Sequence, residues 1–318
     1  MKAVYWAKLA IAKDKIISRM HSVKGAEVEI IEAYEPFLAR LAEFDFVALS
    51  DPHDTKVASE IRQAIEAPGS KVKYLHFISA GREGFEAAGY PRDVKVTTPA
   101  GAVAPTVAEH ALALALGLMR RVPETAALQT KARWDRSVAP RLQSLEGGTC
   151  LIVGLGRIGE EVARRARAFG MRVIAVTRTP KDNPAVDAVF PLSDLKRLIP
   201  EAKMVVLSLA LTPDTRGIFG EAEIGAMRSD AILVNVGRGG LMDQKALTAA
   251  LIAGRIAGAA TDVTDPEPLP DGDPFWSAPN LIISCHFAGA GSPQTLTRLA
   301  ESVGVSMEAA MSEMAAGR

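Results

Sequence analysis

The sequence predicts an α/β protein built on doubly wound parallel sheets, and three observations carry that expectation. Short apolar, β-branched runs recur along the 318 residues and alternate with stretches of helical spacing. A glycine-spaced loop stands between one such run and the helix after it. The length is about twice that of a typical domain, so two domains are expected.

The run Cys150-Leu151-Ile152-Val153 reads as a buried strand, because an unbroken β-branched run suits a strand covered on both faces. It leads into Gly154-Leu155-Gly156-Arg157-Ile158-Gly159. Ile158, Val162, Ala166 and Phe169 then recur at helical spacing, and Gly170 supplies the stop. A bare G-x-G-x-x-G is often only a turn. Between a strand and a helix, with a second strand expected at 172–176, it is the fingerprint of a dinucleotide site. Gly154 would make the tight turn, Gly156 would let a pyrophosphate approach the backbone, and Gly159 would let helix pack on strand. The phosphates would meet free N–H groups at the helix start.

Further strands are expected at 204–209, 231–236, 256–260 and 281–284. Ser193 or Asp194 is expected to cap a helix at 195–199, and Asp243 one at 246–253 that stops at Gly254. The first hundred residues keep the rhythm more loosely, with strands expected at 28–31, 46–49, 75–78 and 94–97. The turn-rich stretch Thr98-Pro99-Ala100-Gly101 marks the expected domain boundary. After it, an apolar helix at 107–121 is expected to link the domains or pack at an interface. Its uncharged core, 111–119, is far too short to cross a bilayer.

Composition sets bounds. Lys plus Arg and Asp plus Glu are both 37, a formal charge of zero that suggests no nucleic-acid partner. Lysines scattered through residues 1–15 argue against a secretory signal. Cys150 and Cys285 both fall on expected buried strands and offer neither a disulfide framework nor a metal site. A soluble cytoplasmic protein with no membrane partner and no metal is the expectation.

Three residues of the last third suggest chemistry: Arg238, Glu267 and His286. They fall at expected strand ends or in the loops beyond, the edge where open α/β sheets bind ligands. A guanidinium can bridge a carboxylate and a neighbouring carbonyl. A His can give a proton to that carbonyl as hydride arrives, and a bonded carboxylate holds its ring and favours the protonated form. The glycines on either side of Arg238 permit a tight turn and close approach of a ligand. Each residue also has a plainer reading: a surface arginine, a solvated loop glutamate, a strand-capping histidine. Joined to a dinucleotide site, the set points to reduction of a 2-keto acid. His110 reads as a packed helix-face residue. His21, His53 and His76 have no supporting partners in the sequence, and Trp134 reads equally as a site-lining residue or an aromatic anchor.

The chain resembles the D-isomer-specific 2-hydroxyacid dehydrogenases over most of its length. The resemblance rests on Ser79-Ala80-Gly81, Pro105-Thr106-Val107-Ala108-Glu109-His110, Val153-Gly154-Leu155-Gly156-Arg157-Ile158-Gly159 and Asn235-Val236-Gly237-Arg238-Gly239-Gly240. A fifth segment runs Asp262-Val263-Thr264-Asp265-Pro266-Glu267-Pro268-Leu269-Pro270 and is followed by His286-Phe287-Ala288-Gly289. All five stand in order, and 29 positions separate Arg238 from Glu267, as in the family.

The resemblance implies a Rossmann cofactor domain over residues 100–287. That domain is inserted in a smaller flavodoxin-like substrate domain of residues 1–99 and 288–318. It implies Arg238, Glu267 and His286 as the catalytic set, and main-chain groups of Ala80 and Gly81, with Arg238 and His286, as substrate contacts. Cofactor contacts would come from Thr106, Gly154, Gly156, Arg157, Ile158, Gly159, Thr177, Arg178, Thr179, Leu209, Thr215, Val236, Gly237, Arg238, Asp262, His286, Ala288 and Gly289. The implied activity is NAD(P)-dependent oxidoreduction at the CH–OH group of a small 2-hydroxy acid, of the glyoxylate/hydroxypyruvate kind, by a homodimer. Only 32 residues follow His286, which disfavours the longer phosphoglycerate dehydrogenases with an effector module. Related formate dehydrogenases carry Gln where Glu267 stands, so Glu267 favours a keto acid. A non-catalytic dinucleotide-sensing scaffold and a phosphite- or formate-type dehydrogenase remain the alternatives.

NAD-preferring relatives end the second cofactor strand in an acidic residue that bonds the ribose hydroxyls. Here Thr177 holds that position and Arg178-Thr179-Pro180-Lys181 follow. A hydroxyl beside a forked guanidinium suits a 2′-phosphate, so NADP(H) is the expected cofactor, with NAD(H) as the alternative.

Overall fold

A computed structural model describes residues 1–8, 12–99 and 101–316. The chain divides into two compact units, Met1–Val103 with Ala290–Arg318, and Ala104–Gly289. Of the expected boundary stretch, Ala100 lies outside the described residues.

The first unit holds one parallel sheet of β1 (Lys2–Trp6), β2 (Glu27–Ile31), β3 (Phe46–Leu49), β4 (Tyr74–Phe77) and β5 (Lys95–Thr97), in the order β2-β1-β3-β4-β5. This is the flavodoxin-like order. Strand β1 shows why both faces are covered. Ala3 and Tyr5 join Met20, Val303 and Met307 on one side of the sheet, and Val4 and Trp6 join Phe37, Ile61 and Phe77 on the other. The helix Pro293–Ala316 supplies Leu299, Val303 and Met307 to the first of these cores.

The second unit holds β6 (Thr149–Val153), β7 (Arg172–Thr177), β8 (Ala188–Pro191), β9 (Met204–Leu207), β10 (Ile232–Asn235), β11 (Gly258–Thr261) and β12 (Leu281–Ile283). All pair in parallel, in the order β12-β11-β10-β9-β6-β7-β8. The chain builds outward from β6 one way and then from β9 the other. The carboxyl ends of β6 and β9 therefore form the switch point of a Rossmann sheet.

Several expectations change. Strands β1 and β8 add to those expected. β9 stops at Leu207 instead of 209, because Ser208 turns to bond the glycine loop. Asp243 caps its helix by accepting from Lys245 N and Ala246 N. Asp194 does not cap with its side chain, which instead accepts from Arg197 at 2.7 Å, and Ser193 lies in a 3₁₀ turn (Leu192–Asp194) that caps nothing.

The long helix is Ala104–Met119, and ten of its sixteen residues are buried within the chain. Its apolar circumference is therefore largely used up inside the monomer. Cys150 is buried, which pushes its thiol up to about 12, but Cys285 is exposed and lies beyond β12. Among the described residues, no helix is long and apolar enough to cross a membrane.

Candidate active site

The glycine loop at the end of β6 is fixed by contact on two sides. Gly154 has φ 102°, and a Cβ there would lie 2.8 Å from Leu209 N. A Cβ on Gly159 would lie 2.3 Å from Gly154 O, so the helix Arg157–Ala168 sits on the loop itself. Gly156 differs, since a Cβ there would meet nothing within 4 Å. The exposed backbone at Gly156 and Arg157 opens a 12-residue helix whose first N–H groups lack intrahelical acceptors. This cradle fits a dinucleotide pyrophosphate.

The loops after the next strands pack beside it. Ser208 Oγ donates to Gly154 O at 2.8 Å. Thr215 Oγ1 donates to Ala210 O at 2.8 Å and accepts from Thr212 N at 2.7 Å, closing the loop after β9. Val236 N bonds Leu207 O, and Gly237 N bonds Asn235 Oδ1. The half-buried Arg238 donates to Gly237 O at 2.6 Å, and its own carbonyl accepts from Asn235 Nδ2.

The tight turn expected beside Arg238 is present, a 3₁₀ turn at Gly239–Leu241 with Leu241 N bonded to Arg238 O, but the glycines serve it by leaving space. None of Gly237, Gly239 and Gly240 has positive φ. A Cβ on Gly239 would lie 2.0 Å from the Thr264 backbone, and one on Gly237 2.8 Å from Leu241 Cδ1 and 3.0 Å from Leu209 O. They admit neighbouring loops, and so hold Arg238 at the strand edge.

His286 and Glu267 meet as the sequence suggested. His286 Nδ1 lies 2.5 Å from Glu267 Oε1, and both side chains are about 40% exposed, so a ligand can reach them. Asp262, at the end of β11, holds the turn that carries His286. It is buried, its main-chain oxygen accepts from His286 N at 2.8 Å, and its carboxylate accepts from Phe287 N, Ala288 N and Ser284 Oγ. Gly289, half-buried, follows the buried Ala288. Ser284 was not singled out in the sequence, and its role depends on a residue 22 positions away. Thr106 is buried in the long helix. Thr177 ends β7, with Arg178 and Thr179 exposed beyond it.

In the first unit, Ala80 and Gly81 follow β4 at the carboxyl edge of the sheet, and Ala80 is exposed. Ser79 Oγ donates to Gly81 O at 2.8 Å and accepts from Asp51 N. Asp51 is buried and accepts from His53 N, Gly84 N and Phe85 N.

A family model described as "D-isomer specific 2-hydroxyacid dehydrogenase, NAD binding domain" matches residues 112–288. The chain is similar to a glyoxylate reductase of Korarchaeum cryptofilum, 37% identical over 67% of this chain and 64% of that one. It is also similar to glyoxylate/hydroxypyruvate reductase B of Klebsiella pneumoniae, 36% identical over 69% of each chain. It therefore spans less than two thirds of the length of the archaeal relative. Among solved structures, the TT0316 protein of Thermus thermophilus superposes with a TM-score of 0.74 at 35% identity, covering 95% of this chain and 94% of that one.

Proposed function

The chain belongs to the D-isomer specific 2-hydroxyacid dehydrogenases, and we propose that it reduces a small 2-keto acid to the 2-hydroxy acid. The observation that carries this reading is the 2.5 Å contact between His286 and Glu267, in a unit whose glycine loop is cut for a dinucleotide. We assign cofactor binding to the second unit and substrate binding to the first, with Ala80 and Gly81 offering main-chain groups to the substrate carboxylate.

A nicotinamide dinucleotide held on the glycine loop of Gly154, Gly156 and Gly159 would supply the hydride. Arg238 binds the substrate carboxylate and the carbonyl oxygen, orienting both and stabilising charge on the oxygen. Glu267 occupies Nδ1 of His286, which leaves Nε2 to carry the proton that completes the hydroxyl. The names of the similar reductases favour glyoxylate or hydroxypyruvate as substrate.

The cofactor we propose is NADPH, because Thr177, Arg178 and Thr179 stand at the end of β7 without the acidic residue that would repel a 2′-phosphate. Arg178→Ala should then raise the Michaelis constant for NADPH far more than that for NADH. Equal or better efficiency with NADH in the unmodified protein would sink the assignment. The assembly we propose is a homodimer. The surface that favours it lies beyond the long helix, where the helix Val122–Thr130 buries no residue and Trp134 is 95% exposed. A solution mass near the 33.7 kDa of one chain would reject it.

Cofactor oxidation with a panel of 2-keto acids tests the activity. Turnover with a two- or three-carbon keto acid is the expected result. Tight cofactor binding with no turnover on any member would replace the enzyme with a dinucleotide-sensing scaffold.

A further inference from the structure

His286 adopts a left-handed conformation, φ 51°, that a side-chain-bearing residue keeps only where its surroundings impose it. Asp262 imposes it directly, through its main-chain oxygen on His286 N and its carboxylate on Phe287 N at 3.2 Å and Ala288 N at 2.9 Å. The carboxylate is in turn held by Ser284, whose Oγ donates to Asp262 Oδ1 at 2.6 Å.

That hydroxyl has a single proton. Having given it to the carboxylate, Ser284 can only accept from its other neighbour, His110 Nε2, at 2.8 Å. His110 therefore carries its proton on Nε2. The same ring packs edge-to-face on Phe287, with centroids 5.3 Å apart and planes at 74°. One side chain of the long helix thus grips the turn twice, by a hydrogen bond through Ser284 and by ring contact one residue beyond His286.

We propose that His110 is a positioning residue of the reaction, acting through Ser284 and Asp262 to hold His286 where its Nε2 can deliver the proton. This rests on the function proposed above. Its chemical content is limited: His110 exchanges no proton with the substrate. It supplies one N–H donor and one ring face, and a plain packing residue would supply only the second. Misplacing an acid by about 1 Å can cost on the order of 10²-fold in rate.

The test separates the two contributions. His110→Phe keeps a ring against Phe287 and removes the donor, whereas His110→Gln restores a donor near the position of Nε2. We expect His110→Phe to lower kcat about 10- to 100-fold with cofactor affinity unchanged, and His110→Gln to recover most of that loss. Independently of activity, hydrogen exchange at the amides of His286, Phe287 and Ala288 should speed up in His110→Phe and slow again in His110→Gln. Wild-type kcat and wild-type exchange in His110→Phe would overturn the proposal, as would equal losses in both variants. If the unmodified protein turned over no keto acid, the functional reading would fall. The exchange result would then decide on its own whether His110 holds the turn.

Discussion

Both units place a buried aspartate just after a strand and use it to shape a loop, yet the two loops hold a histidine at different distances from a carboxylate. Asp51 follows β3 and accepts from His53 N, Gly84 N and Phe85 N. Asp262 follows β11 and accepts from Ser284 Oγ, Phe287 N and Ala288 N. Each loop even holds a left-handed histidine, His53 at φ 59° and His286 at φ 51°. The difference lies in the ring. His286 meets Glu267 at 2.5 Å, while His53 stands 3.6 Å from both Asp51 and Glu83. A buried carboxylate collecting backbone N–H groups is therefore a general way to finish a parallel strand. In the mechanism proposed above, the closer approach of the second carboxylate, Glu267, is what fixes the ring for acid–base work.

The largest effect should separate the two histidines. His286→Ala is expected to lower kcat by roughly 10² to 10⁴ while cofactor affinity is retained, because a general acid has been removed. His53→Ala should cost far less. Comparable losses in steady-state kinetics would abolish the distinction drawn here.

Acid should separate the units next. His76 is buried between Thr97 Oγ1 at 2.9 Å and Ser302 Oγ at 3.2 Å, and burial lowers its pKa to about 4. The folded value lies below the unfolded one, so this contribution is fully present above about 6.5 and is lost as pH falls towards 4. The loss should reach about 3 kcal/mol and fall on the first unit. Urea unfolding across that range measures it, and His76→Leu should flatten the slope.

A smaller effect follows from Asp51→Ala, which leaves three backbone N–H groups without their acceptor. A loss of about 1–3 kcal/mol is expected in urea unfolding. An unchanged midpoint would mean that water replaces the carboxylate and that Asp51 does not shape its loop.

The sequence showed the strands of the second sheet well, because runs such as Leu151-Ile152-Val153 are buried on both faces and need no alternation. It missed β8, a half-exposed strand at the end of the sheet, and β1, whose short run is flanked by Lys2 and Lys8 although four of its five residues are buried. Glu267 and His286 were legible by residue type and order. Ser284 and His110 were not, because their roles depend on how the chain folds back between Asp262 and Ala288. The reason for the glycines beside Arg238 was also hidden, since it is the backbone of Thr264 that excludes a side chain there.

The pairing of Glu267 with His286 is the central claim, and a double-mutant cycle on keto-acid reduction tests it most directly. Glu267→Ala should lower kcat with cofactor affinity retained, because the contact that holds the His286 ring is gone. In a protein that already carries His286→Ala, the same change should cost almost nothing further, since the two side chains act as a unit. Equal fractional losses from Glu267→Ala in the two backgrounds would contradict the account.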